Sequence, residues 1–270
     1  MSSETARKYH SMTFTYANEW DDPVKKHGQI NTWDDWHLIP SSRPVFDQPK
    51  PKYNFLEIPG SDGTLDLSEA LANRVLYNNR EGSLDFIVAN DYRKSWAAGH
   101  SQFANWLHGR RLRVVLDDDR GYFYEGRFSI DEWRSNNNGT WSNIVMSYNL
   151  EPYKYSLNTS MEPWLWDPFS FEDGVIYKYD YIGVGKTGDT SPSTVTVKVI
   201  NGLKPVIPKI KIEFSEYPTW TIKVNDVTAQ FDVNYIAEIE DTRLELQEGE
   251  NTVTFTGIGV AMINFRGASL

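Results

Sequence analysis

The chain has 270 residues, 40% hydrophobic and 14% aromatic, and its 27 basic and 37 acidic side chains leave a formal charge of −10. Such acidity argues against clamping nucleic-acid phosphates, which needs clustered Lys and Arg. The absence of cysteine removes disulfides, thiolate zinc sites and a Cys nucleophile together, and the apolar share removes wholesale disorder.

The length exceeds the roughly 150 residues that serve as a prior for one domain, which favours two. The start, MSSETARKYHSMTFTY, has no apolar segment behind its basic residues, so no secretory signal is expected and synthesis in a cytoplasm is the default. No apolar run reaches about 18 residues, and mean hydropathy is −0.53, so no membrane span is expected.

In chain order, a short helical turn is expected from Ser68 to Ala72. Strands Arg74–Tyr77 and Ser83–Ala89 flank residues 78–82 as a hairpin. One segment is convincingly helical: between Lys94 and His108 the residues Trp96, Phe103, Trp106 and Leu107 share a face. Ser95 is its expected N-cap, Gly109 its stop, and His108 a helix-end residue favourable to the dipole. Strands Leu112–Leu116 and Tyr122–Ile130 flank Asp117-Asp118-Asp119-Arg120-Gly121, and Ile144–Leu150 alternates apolar with polar. Further strands are expected at Thr194–Ile200, Lys209–Phe214, Thr219–Val224, Arg243–Leu246, Asn251–Thr256 and Val260–Phe265. Short strands so spaced suggest a sandwich or barrel.

A compositional break places domains at 1–155 and 156–270. The first part nets −3 and holds all five histidines; the second nets −7. Residues 156–190, rich in aromatic, Pro and Gly, read as a linker plus an irregular first layer.

Candidate chemistry is sparse. Gly185-Lys186-Thr187 matches only the tail of a phosphate-binding loop, since Asp180 stands where its first glycine belongs. The run Asp117 to Asp119 offers carboxylates to a hard cation, but neighbouring side chains splay apart, and a solvated turn is the better reading. His100 and His108 are two turns apart on a helix, too distant to share a metal, and no HExxH or GxSxG occurs. The sequons at Asn138 and Asn158 read as chance matches. No catalytic, cofactor or metal residue is assigned. Trp164, Trp166 and Trp220 are weak saccharide platforms, with core packing as the competing reading.

Several peptides in order carry a family resemblance. They are residues 32–40 (TWDDWHLIP) with Ser42-Arg43-Pro44, residues 57–63 (EIPGSDG) leading into Leu65–Leu71, Trp106–Arg110, Val114–Leu116, Tyr122–Arg127 and Glu151–Tyr155. Leu246–Val253, then Gly257, Gly259 and Phe265-Arg266-Gly267, continue the series. Together they resemble the distal tail (Dit) family of tailed bacteriophages and prophages over nearly the whole chain; no one peptide is diagnostic.

That resemblance implies a mainly β protein: an N-terminal β-rich domain with one helix, forming a hexameric ring, and a C-terminal galectin-like β-sandwich. It implies a baseplate part at the virion tail tip, assembled in a bacterial cytoplasm. The partners would be copies of itself, the tail tube protein, the tail-associated hub protein and receptor-binding or other baseplate proteins. Genomic DNA would pass through the ring unbound if the bore is neutral or negative. For assembly contacts the stiff segment 31–52 stands out, with Trp33, Trp36, Pro40, Pro44 and Phe46. It packs either on a neighbouring subunit or ring or on its own domain, two expectations of equal weight. Two other function classes stay open. A carbohydrate-binding adhesin would show exposed coplanar tryptophans such as Trp164 and Trp166. A wall hydrolase would show two convergent carboxylates in a cleft.

Overall fold

The structure is a computed structural model, and it describes residues 10–19, 28–89, 96–135, 141–160, 181–186, 188 and 190–270. The chain divides into two compact units, one running to Lys154 together with Leu270, the other Tyr155–Ser269. The architecture is mainly β with one α-helix among the described residues.

The first unit is built from β1 (Met12–Tyr16), β2 (Gln29–Asn31), β3 (Leu38–Pro40), β4 (Phe55–Glu57), β5 (Thr64–Asp66), β6 (Arg80–Ala89), α1 (Trp96–Leu107), β7 (Arg111–Leu116), β8 (Asp119–Ser135) and β9 (Trp141–Leu150). Seven of these strands form an antiparallel path β2-β1-β7-β8-β9-β6-β3, and β4 pairs with β5 alone. Period-two patterning sets which face turns inward. Ser142, Ile144, Met146, Tyr148 and Leu150 of β9 and Leu112, Val114 and Leu116 of β7 are buried, while their neighbours face water. β8 meets β9 so closely at Gly126 that an added Cβ would fall on the Asn149 carbonyl oxygen. An extra residue between Ile130 and Glu132 bulges β8 and bends its far end.

Helix α1 covers the apolar face. Phe103 and Leu107 are buried in the core formed by Met12, Phe14, Leu38, Phe86, Phe128 and Ile144. Gly109 ends the helix at φ +73°, and its N–H donates to the Phe128 carbonyl at 2.7 Å. The expected N-cap Ser95 lies outside the described residues. At the helix end the His108 Nδ1 accepts the Ile130 N–H at 3.1 Å.

One sequence expectation fails in this unit. Arg74–Tyr77 is no hairpin arm; only Tyr77 bridges, to Pro51, and β6 pairs instead with β9 and β3. The expected turn at residues 68–72 is present as a single turn, closed by the Asn73 N–H on the Glu69 carbonyl at 2.8 Å, and it does not extend into a helix.

From Lys154 the chain continues as β10 (Lys154–Ser156), β11 (Ile182–Val184), β12 (Ser193–Asn201), β13 (Lys209–Glu213), β14 (Thr219–Val224), β15 (Val227–Asp232), β16 (Ala237–Ile239), β17 (Gly249–Gly257), β18 (Gly259–Asn264) and β19 (Ala268–Ser269). Two four-stranded antiparallel sheets, β11-β18-β13-β16 and β12-β17-β14-β15, share one core. Ile210, Ile212, Ala261 and Ile263 come from the first, and Trp220, Ile222, Val253 and Phe255 from the second. This is a β-sandwich. The fully buried Asn251 holds its rim, with Nδ2 donating to the Gln247 and Gly249 carbonyls and Oδ1 accepting the Gln247 N–H. The expected strand Arg243–Leu246 is a loop that the Arg243–Asp241 pair closes at 2.6 Å. β15 and β16 appear where none was expected.

Candidate assembly surface

The segment 31–52 is fixed on its own unit. Asn31 starts it as an Asx turn, its Oδ1 accepting the Trp33 and Asp34 N–H groups at 2.9 and 3.1 Å. Trp33, half-buried, meets the His37 ring at 5.4 Å. Trp36 packs edge-on against Phe103 at 4.8 Å, and Pro40 ends β3 opposite Phe86. Pro44 is buried. Phe46 sits in the core, 4.8 Å from the Tyr124 ring and 4.9 Å from Tyr148.

Arg80 then locks the segment down. It is 1% exposed, with Nη1 donating to the Asp47 carbonyl at 3.0 Å and Nε to the Pro152 carbonyl at 2.9 Å. Burial lowers its affinity for its proton, and the same burial pushes the Tyr124 hydroxyl up to about 12. Within the single chain, then, Pro44 and Phe46 are buried in their own unit, Trp33, Trp36 and Pro40 are half-buried, and Ile39 and Val45 stay exposed.

An exposed apolar surface lies just downstream. Chain departure and return are clasped by the Asn78 N–H on the Lys50 carbonyl and the Lys52 N–H on the Leu76 carbonyl, both 2.8 Å. Between these clasps stands the β4–β5 hairpin, pairing Phe55 with Asp66, Leu56 with Leu65 and Glu57 with Thr64. All six strand residues are exposed, so neither face of the hairpin has a core. Tyr53, 68% exposed, stacks on Phe55 at 5.7 Å; Leu56, Ile58 and Leu65 are about half exposed and Leu71 wholly so. Gly60 and Gly63, at φ +83° and +75°, turn the tip. At the base Asp66 accepts the Ser68 N–H at 2.9 Å and its hydroxyl at 2.5 Å, and these bonds hold its carboxyl below the usual range.

A two-stranded hairpin without a packed face is marginal in water, and soluble monomers seldom gather so much apolar surface unless it has work to do. The sequence reading missed this hairpin. The signal was available in FLE and TLD, two short apolar-polar runs around a Pro-Gly and Asp-Gly loop.

The remaining candidates occupy unremarkable places. Trp220 has no exposed surface and donates its Nε1–H to Ser215 Oγ at 2.8 Å, so no ring face is open to a sugar. Trp164 and Trp166 lie outside the described residues, as do Asp180, Thr187 and the Asn138 sequon. Each carboxylate of the Asp117–Asp119 turn has its own partner: Arg120 at 2.9 Å for Asp117, Arg43 at 2.9 Å for Asp118, and Lys154 at 2.8 Å for Asp119. His100 lies edge-on to Trp133 at 5.1 Å. Asp241 is held down to about 2 by its hydrogen bonds from Arg243, opposite to the shift a general acid needs.

No protein-family model matches the sequence, and no curated protein matches it. Among solved structures the chain is similar to the SPP1 Dit protein (gp 19.1), described as a paradigm of the hub adsorption apparatus in phages infecting Gram-positive bacteria. The likeness has a TM-score of 0.55 at 15% identity, over 96% of this chain and 99% of that one. It shows a shared fold through both units.

Proposed function

We propose that the protein is a structural component of a phage tail tip, built into a ring of identical copies. The observation that carries this reading is the fold, shared end to end with a phage Dit protein. The β4–β5 hairpin supplies the means: in a ring each copy presents one surface to a neighbour and receives another, and the rotation closes. Covering Tyr53, Phe55, Leu56, Ile58, Leu65 and Leu71 yields about 1 kcal/mol for each half-exposed side chain, enough in sum to offset the ordering of a hairpin.

In this reading the ring has six copies and joins the tail tube to the hub, and the outward, galectin-like β-sandwich carries receptor-binding or other baseplate proteins. The polar face of the first unit's sheet is suited to a bore. Arg111 lies 2.7 Å from Glu125 and 2.6 Å from Glu151, and Arg113 is 2.7 Å from Glu125. Guanidinium groups neutralised in this way leave little free charge to hold DNA phosphates.

The test is the mass of the full chain by native mass spectrometry. A six-copy species that falls to lower mass in the double variant Phe55→Ser/Leu65→Ser supports the proposal. A double variant with unaltered assembly mass overturns the hairpin's role.

A further inference from the structure

Among the described residues, β15 forms a free edge of its sheet. The ladder to β14 pairs Val224 with Val227, Ile222 with Ala229 and Trp220 with Phe231, and continues as the Val233 N–H donates to the Pro218 carbonyl at 2.8 Å. Backbone groups along an antiparallel strand alternate in direction. Those of Thr228, Gln230 and Asp232 therefore point away from β14, out of the sheet.

Proteins blunt such edges with short strands, lysines, prolines or bulges. The edge strands β2, β3, β11 and β16 are three residues each, and β12 carries Lys198. β15 has six residues, VTAQFD, in unbroken register, with no lysine, proline or bulge. Val227, 43% exposed, and the half-buried Phe231 lie along it.

We infer that this edge pairs antiparallel with the same edge of a second copy, about a two-fold axis through Gln230. In that register the three outward-facing residues pair only among themselves: Gln230 opposite Gln230, and Thr228 opposite Asp232. On the core side Ala229 faces Phe231, small against large. Asp226 falls opposite Asn234, so no like charges meet. Moving the axis to Ala229 would oppose Asp226 and Asp232, two carboxylates, which is unfavourable. The two sheets become one of eight strands. This contact is isologous and separate from the hairpin, so it links copies whether or not the ring forms.

The cysteine-free chain allows a direct test on the full-length protein. Directly opposed residues of a hydrogen-bonded antiparallel pair have Cα atoms about 5.5 Å apart, within disulfide reach. Gln230→Cys is expected to form a covalent dimer under mild oxidation, also in the Phe55→Ser/Leu65→Ser background. Thr252→Cys, on the same face but in an inner strand, is expected to stay uncrosslinked. Gln230→Lys, which opposes two ammonium groups across the axis, is expected to weaken dimerisation at least tenfold by analytical ultracentrifugation, with its circular dichroism spectrum unchanged. Crosslinking of Gln230→Cys no greater than that of Thr252→Cys, or its loss in the hairpin background, would overturn the pairing. So would identical association of wild type and Gln230→Lys.

Discussion

At Arg80 a full positive charge is held inside the first unit by two carbonyl oxygens, 5.5 Å from the centre of the Tyr124 ring. Replacing it by alanine strands both carbonyls and opens a cavity, which is expected to cost about 3 kcal/mol in urea unfolding. The neighbouring Tyr124 sets an alkaline limit. Its hydroxyl is neutral in the fold up to about pH 12 but ionises near 10 when unfolded, so its contribution is complete below pH 10 and fades between 10 and 12. Stability measured across that window is expected to fall by about 3 kcal/mol from this residue, and Tyr124→Phe should flatten the decline. In the second unit Gly257 lies against the buried Trp220, where an added Cβ would come within 2.6 Å of the ring. Gly257→Ala is expected to cost about 1–3 kcal/mol through overpacking and to shift tryptophan fluorescence.

Among elements, legibility followed the range of the forces involved. α1 was readable because its spacing of Phe103, Trp106 and Leu107 and its Gly109 stop are local facts. β9 was readable because strict alternation marks a half-buried strand whatever its partner. The supposed hairpin arm Arg74–Tyr77 misled because β6 takes its partner β9 from far along the chain, beyond any turn signal. β15 was missed although Asn225-Asp226 is a two-residue hairpin loop, with Asn225 at φ +52°. Of the candidate surface, the aromatic segment 31–52 drew notice because burial and docking use the same residue types, and only packing tells them apart. Phe46 went inward; Phe55 did not. The Phe55→Ser/Leu65→Ser double variant should therefore leave monomer stability within about 0.5 kcal/mol of wild type by thermal unfolding, since exposed side chains hold no core together.

At the scale of the whole molecule, the two units bury two separate cores, one a curved sheet under a helix and the other a sandwich. Each buries its own core, and among the described residues the first unit also leaves a coreless hairpin exposed and the second a six-residue strand edge. That distribution suits a part whose work is fitting against other surfaces. The most direct check is negative-stain imaging of the full chain with native mass spectrometry on the same sample. The account predicts annular particles of six copies, lost on Phe55→Ser/Leu65→Ser substitution. A sample that contains nothing larger than a dimer at any concentration, with wild type and variant alike, would contradict it.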